Sequence, residues 1–171
     1  MSSLSPWDFA AICGGRWYNG LVPSCPYSSA QIDTRLITDN QVFFALKGET
    51  INGHDFVTSL SPPAAAIVEK PNPAAAIPQL VVPSSLGAMH KMAEIVAGNT
   101  NAVKIALTGS VGKTGTKEML ARCFSRIGIT HANSGNFNNH LGVPLTIIAM
   151  PLDCEYLITE MGMNNSGEIA L

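Results

Sequence analysis

The sequence predicts an α/β protein, and three observations carry that expectation. First, Val103–Met119 reads VKIALTGSVGKTGTKEM: an apolar run, a glycine turn, then Met119, Leu120, Cys123, Phe124 and Ile127 at helical spacings of three and four. Second, short apolar runs of strand length recur, at Gln41–Lys47, Ala64–Glu69, Gln79–Val82 and Tyr156–Thr159, with turn clusters and helical stretches among them. Third, 46% of the 171 residues are apolar, enough for a core, while only 13% are charged. That charged fraction is well below the usual roughly 25%.

Taken in order, Pro6–Cys13 carries Trp7, Phe9, Ala10 and Ile12 and predicts a short helix ending at Gly14-Gly15. The stretch to Ser29 is rich in turn residues. Gln41–Lys47 is a strand candidate closed by Gly48, and Asn52–Phe56 a polar turn leading into a helix onset. Ala64–Glu69 and Gln79–Val82 are two further strands, separated by a loop holding Pro71, Pro73 and Pro78. Ser84-Ser85 caps a helix with Leu86, Met89, Met92, Ile95 and Val96 on one face. Its stop at Gly98-Asn99 marks an expected division into residues 1–99 and 100–171.

Beyond it, Val103–Leu107 is read as a buried strand and Ile129–Ala132 as a short apolar stretch. Asn133–Asn139 is an amide-rich loop, and Leu145–Met150 the start of a helix or a buried turn. Tyr156–Thr159 is a buried strand with Glu160 at its C-terminal end, and Glu168–Leu171 resembles a first helical turn.

Composition excludes several classes of partner. A formal net charge of -2 gives no electrostatic case for nucleic acid or an anionic membrane. No apolar run approaches the roughly 18 residues that span a bilayer, and the N-terminus has no basic signal-peptide region. Cys13, Cys25, Cys123 and Cys154 are scattered without a Cys-x-x-Cys pair. They are expected to be reduced thiols of a cytoplasmic protein.

The chemistry concentrates at Thr108–Thr114. Strand, glycine loop ending in Gly-Lys-Thr, and helix form a phosphate-binding arrangement. Glycines let backbone N–H groups approach phosphate oxygens, and the helix N-terminus adds its positive dipole end. Lys113 would set a charge on the β- and γ-phosphates of a nucleotide, and the Thr114 hydroxyl can ligate Mg²⁺. The general P-loop has a glycine five residues before the lysine; here that position is Thr108, leaving the shorter Gly109-x-x-Gly112-Lys113-Thr114.

These motifs resemble those of the Mur ligases. The resemblance runs through Asp33-Thr34-Arg35, Phe44–Glu49, Asn52–Phe56, Thr108–Thr114 and Lys117-Glu118-Met119. It continues at Gly135–Asn139, Gly142-Val143-Pro144 and Glu160-Met161-Gly162. Their order and spacing together are specific, although no single motif is. Gly115 stands where other members carry another small residue or threonine, at some cost in helix propensity.

The resemblance implies a small mixed α/β N-terminal domain at 1–99 that holds a UDP-sugar. A truncated P-loop, Rossmann-like parallel-sheet ATPase domain would follow at 100–171. The resemblance implies a ligase that joins D-Ala-D-Ala to UDP-N-acetylmuramoyl-tripeptide through an acyl phosphate, with ATP and Mg²⁺, in peptidoglycan synthesis. By that resemblance Thr108, Gly109, Ser110, Val111, Gly112, Lys113 and Thr114 bind ATP, and Lys113 and Glu160 are catalytic. Thr114 and Glu160 would hold the metal. Thr34, Arg35, Lys47, Gly48, Asn52, His54, Asn138 and Asn139 would contact the UDP-muramoyl peptide.

The remaining ligase domains are expected C-terminal to Leu171, so the 171-residue chain alone would be inactive. Two alternatives stay open: a sister ligase adding a single amino acid, and a non-catalytic UDP-sugar- or nucleotide-binding fragment. His140, beside the asparagine pair, reads first as a loop residue and second as a substrate contact. Tyr18 could approach a uracil, but nothing in the sequence decides it.

Overall fold

The structure is a computed structural model describing residues 5–23, 27, 29–135 and 137–162. The expected turn at Glu168–Leu171 lies outside the described residues. The chain divides into two compact units, Met1–Met92 and Ala93–Leu171.

In the first unit, helix α1 (Pro6–Cys13) starts with Ser5, whose side chain accepts from Asp8 N, and stops at Gly14, φ 63°. Proline in the first turn and a left-handed glycine at the end are the expected punctuation for a short helix. Five strands follow: β1 (Arg16–Trp17), β2 (Ser29–Gln31), β3 (Gln41–Phe44), β4 (Ala65–Val68) and β5 (Gln79–Val81). They form one sheet in the order β1-β5-β4-β3-β2, parallel except for the β1–β5 pair.

The central β4 reads AAIV and is buried throughout, as a strand covered on both faces must be. Phe43, Ala66 and Val68 line one face with Val57 and Leu60 from the segment after Asn52. Val42, Phe44, Ile67 and Leu80 are also fully buried. Gly53 is required by close approach: a Cβ there would lie 2.8 Å from Leu46 N and 2.9 Å from Leu46 O.

Helix α2 (Ser85–Gly98) follows, its N-terminus held by Ser84 Oγ accepting from Gly87 N and by Glu69 Oε1 accepting from Ser85 N. The predicted Met89 and Met92 are buried.

In the second unit, β6 (Val103–Leu107), α3 (Lys113–Phe124), β7 (Thr130–Ala132), α4 (Gly142–Ile148) and β8 (Tyr156–Glu160) build a parallel sheet in the order β6-β8-β7. Parallel neighbours need such helical crossovers. Leu157 packs with Ala102, Met150 and Cys154, and Phe124 lies against Tyr156 with ring centroids 4.7 Å apart.

One expectation is corrected here. Val103–Leu107 is a strand but not a buried one: Val103 is 54% exposed. It is the outer strand of the three described, so only one flank is paired. The helix turns a different stripe inward. Met119 and Ile127 are exposed, whereas Lys117 is buried and Lys113, Leu120, Ala121 and Phe124 are half-buried. The inward set is spaced 113, 117, 120/121, 124, about a quarter turn from the apolar set. The segment at 145–150, left open between helix and buried turn, is helical from Gly142.

Candidate functional site

The register of β6 against β8 pairs Leu107 with Glu160. Met161 N extends the ladder by donating to Leu107 O at 2.8 Å. The loop leaving β6 and the carboxyl ending β8 therefore emerge side by side at the C-terminal end of one parallel sheet. That edge is where open α/β folds gather ligands.

The loop Thr108–Gly112 carries two left-handed glycines, Gly109 (φ 151°) and Gly112 (φ 78°). Gly112 is the N-cap of α3, and no side chain caps the helix. The first N–H groups of a helix have no intrahelical acceptor, so these point outward as donors with a positive dipole behind them. Thr108, Ser110, Val111 and Thr114 are exposed. A Cβ at Gly112 would meet nothing within 4 Å, and one at Gly109 only Val111 O at 3.9 Å. The glycines therefore serve backbone conformation and leave open space over the loop. Lys113 folds back across it, its Nζ donating to Gly109 O at 2.5 Å.

Glu160 is 2% exposed. Its Oε1 accepts from Asn138 Nδ2 at 2.8 Å, and its Oε2 is buried with no hydrogen-bond partner among the described residues. A buried acceptor left unmade costs about 1–3 kcal/mol, so such an oxygen calls for an occupant. Oxygen donors from a carboxyl and a threonine hydroxyl suit a hard divalent cation, and the pair Glu160 and Thr114 fits Mg²⁺ in donor type.

Two residues without an expected role hold Glu160 in place. Asn133 clamps its backbone from both sides: Oδ1 accepts from Glu160 N at 2.8 Å and Nδ2 donates to Glu160 O at 3.1 Å. Lys117 reaches from α3 to Asn133 O at 2.6 Å and also pairs with Glu118 at 2.8 Å. The Lys117 ammonium beside Glu118 holds that carboxyl below the ordinary carboxylate range. The available signal was a lysine four residues after Lys113, hence on the same helix face.

Of the two asparagines predicted to touch substrate, Asn138 supports Glu160, and its carbonyl accepts from Gly162 N at 2.7 Å. Asn139 Oδ1 accepts from Leu141 N and Gly142 N in the turn that leads into α4.

The first unit places the other predicted contacts. Asp33 Oδ1 accepts from Arg35 N, and the Arg35 guanidinium binds the Asp33 carboxylate at 2.6–3.2 Å. Thr34 and Arg35 lie in the single turn that this pair stabilises. Lys47 and Gly48 are exposed; Gly48 N donates to Ile51 O, and Lys47 bridges to Asn52 in antiparallel fashion. His54 Nε2 accepts from Glu69 N at 2.9 Å, so the ring proton lies on Nδ1, which faces Asn52 Oδ1 at 2.9 Å. His54 thus ties the turn at Asn52 to the end of β4.

The Arg35 guanidinium, chiefly by hydrogen bonding, lowers the Asp33 carboxyl to about 2. Because this value is depressed, the pair's contribution is complete above the ordinary carboxylate range and is lost as pH falls through about 2. The pair is exposed, so that contribution is small. A carboxyl-carbon NMR titration is expected to give Asp33 a midpoint near 2, and Arg35→Ala to return it toward the ordinary range.

The family described as Mur ligase middle domain matches residues 107–171. The chain is 38% identical over 143 residues to the UDP-N-acetylmuramoyl-tripeptide–D-alanyl-D-alanine ligase of Bacillus subtilis, covering 81% of this chain and 31% of that protein. It is 39% identical over 139 residues to the Escherichia coli enzyme of the same name, again covering 81% and 31%. It thus spans about a third of the relatives it matches.

Among solved structures, MurF from Acinetobacter baumannii superposes with a TM-score of 0.85 at 36% identity, covering 96% of this chain and 37% of that one. MurF ligase from Thermotoga maritima, in complex with ADP, gives 0.68 at 29% identity, covering 83% and 34%. Residues 107–171 thus match the Mur ligase middle domain, and the chain is similar over most of its own length to about a third of ligases of that family.

Proposed function

We propose that this chain supplies the UDP-sugar-binding unit and the ATP phosphate site of a ligase that joins D-Ala-D-Ala to UDP-N-acetylmuramoyl-tripeptide. The single observation that carries the reading is Glu160 Oε2, buried and unpartnered at the sheet edge where the glycine loop opens. The names of the B. subtilis and E. coli relatives favour the dipeptide-adding activity over a ligase adding one amino acid. The ADP in the T. maritima structure supports a nucleotide at the loop.

A carboxylate is a poor electrophile because its leaving group would be oxide; phosphorylation by ATP supplies a better one. The amine of D-Ala-D-Ala then attacks the acyl carbon, phosphate departs and the peptide bond forms. The protein's part is positioning and charge neutralisation. Backbone N–H groups of Gly109–Thr114 receive phosphate oxygens. Lys113 exchanges Gly109 O for the β- and γ-phosphates. Thr114 Oγ and Glu160 Oε2 would hold Mg²⁺, which when bound neutralises phosphate charge.

In the first unit, Arg35 and Lys47 are the cations for the diphosphate of the UDP-sugar, with Thr34, Gly48, Asn52 and His54 around them. Among the described residues no helix is long and apolar enough to cross a membrane. Cys13, Cys123 and Cys154 are free thiols, which supports a cytoplasmic setting.

The test is Glu160→Gln, which keeps the side chain's volume and the Oε1 contact. Calorimetry with ADP should show Mg²⁺ strengthening binding to the unaltered chain by about tenfold or more, and Glu160→Gln losing that gain. A variant that keeps the full Mg²⁺ effect would remove Glu160 from the metal site.

A further inference from the structure

We infer that Lys117 and Asn133 are positioning residues forming one buried strut, which sets Glu160 Oε2 relative to the Gly109–Thr114 loop. The inference rests on the ligase reading for its purpose, but on separate contacts for its existence.

Lys117 is 1% exposed, a burial that lysine tolerates only with partners. It lies one helical turn after Lys113, on the same face of α3. Its Nζ donates to Asn133 O at 2.6 Å, fixing the end of β7 to the helix that begins at the phosphate loop. The Asn133 side chain then does what a further residue of β7 would do. It accepts from Glu160 N and donates to Glu160 O, continuing the β7–β8 pairing beyond Ala132.

A second bond from Asn133 Nδ2, to Phe137 O at 2.8 Å, fixes the loop that carries Asn138. Asn138 in turn holds Glu160 Oε1. Backbone and one carboxyl oxygen are thereby locked, and the other oxygen is left bare. A metal shared by Glu160 and Thr114 needs those two groups held at fixed separation, because small displacements weaken a coordination site. The strut joins the helix bearing Thr114 to the strand bearing Glu160 through two side chains, independently of the β6–β8 register.

Removing Lys117 Nζ leaves a buried carbonyl without its donor, and removing the Asn133 amide unlocks Glu160. The test uses ADP, and Mn²⁺ as the probe for the divalent ion. Lys117→Met keeps the stem's volume; Asn133→Ser leaves intact the backbone carbonyl that Lys117 uses. Each variant should weaken Mn²⁺ binding in the presence of ADP by tenfold or more while metal-free ADP affinity stays within twofold. Amide hydrogen exchange at Glu160 should speed up at least tenfold in both.

Mn²⁺ affinity within threefold of the unaltered chain in both folded variants overturns the strut, and so does an equal fall in metal-free ADP binding. If Lys117→Met does not fold, Asn133→Ser decides alone. If the unaltered chain shows no metal-enhanced ADP binding, the ligase reading fails. The strut then stands or falls on the Glu160 exchange rate alone, with unchanged protection sinking it.

Discussion

Lys113→Ala is expected to weaken ADP binding by about ten- to a hundredfold. Charge-assisted hydrogen bonds to phosphate contribute about 1.5–3 kcal/mol, more than any neutral contact the loop can make. The fold should be untouched. Lys113 is half-buried at the first turn of α3, and among the described residues its side chain bonds to Gly109 O across the loop. Isothermal titration with ADP, paired with a thermal melt, separates the effects. A melt unchanged within a few degrees together with undiminished affinity would show that the loop is not a phosphate site. Lys113→Arg should recover only part of the binding, because the wider guanidinium cannot settle over Gly109 as the ammonium does.

Gly142→Ala should destabilise the second unit more than any other single methyl addition. A Cβ at Gly142 would lie 2.4 Å from Phe137 C and Cα and 2.6 Å from Phe137 O, all backbone atoms with no rotamer to escape into. Overpacking of this kind costs about 3 kcal/mol, roughly 15 °C in melting temperature for so small a unit. The displaced Phe137 adjoins Asn138, so Glu160 should lose its Oε1 partner as well. Gly115→Ala is the control: its Cβ would meet nothing within 4 Å, in a helix where alanine is favoured by about 1 kcal/mol. Equal melting temperatures for the two variants would refute the packing argument.

Much of the fold could be read from local signals. Helix α1 falls where Pro6 and Gly14-Gly15 put it, and α2 begins beside Ser84-Ser85 and ends at Gly98. β3, β4 and β5 lie inside the predicted runs, and β8 extends its run by one residue, to Glu160. Such signals are legible because proline, glycine and capping serine act on their own backbone. The inner face of α3 was not legible for the opposite reason. Periodicity shows which residues share a face, but not which face meets the sheet; here a buried lysine lies on the inner one.

The chain's own letters determined an α/β architecture and a glycine loop opening a helix, with Lys113 and Thr114 at its start. Each follows from chemistry confined to a few neighbouring residues. Only the tertiary structure decided that Glu160 lies opposite Leu107, that one of its oxygens is bare, and that Asn138 serves the carboxyl while Asn133 clamps its backbone. Strand register and the partners of buried polar atoms join residues 16 to 53 positions apart. No local pattern encodes such pairings; they are settled when the sheet closes and each buried donor must find an acceptor.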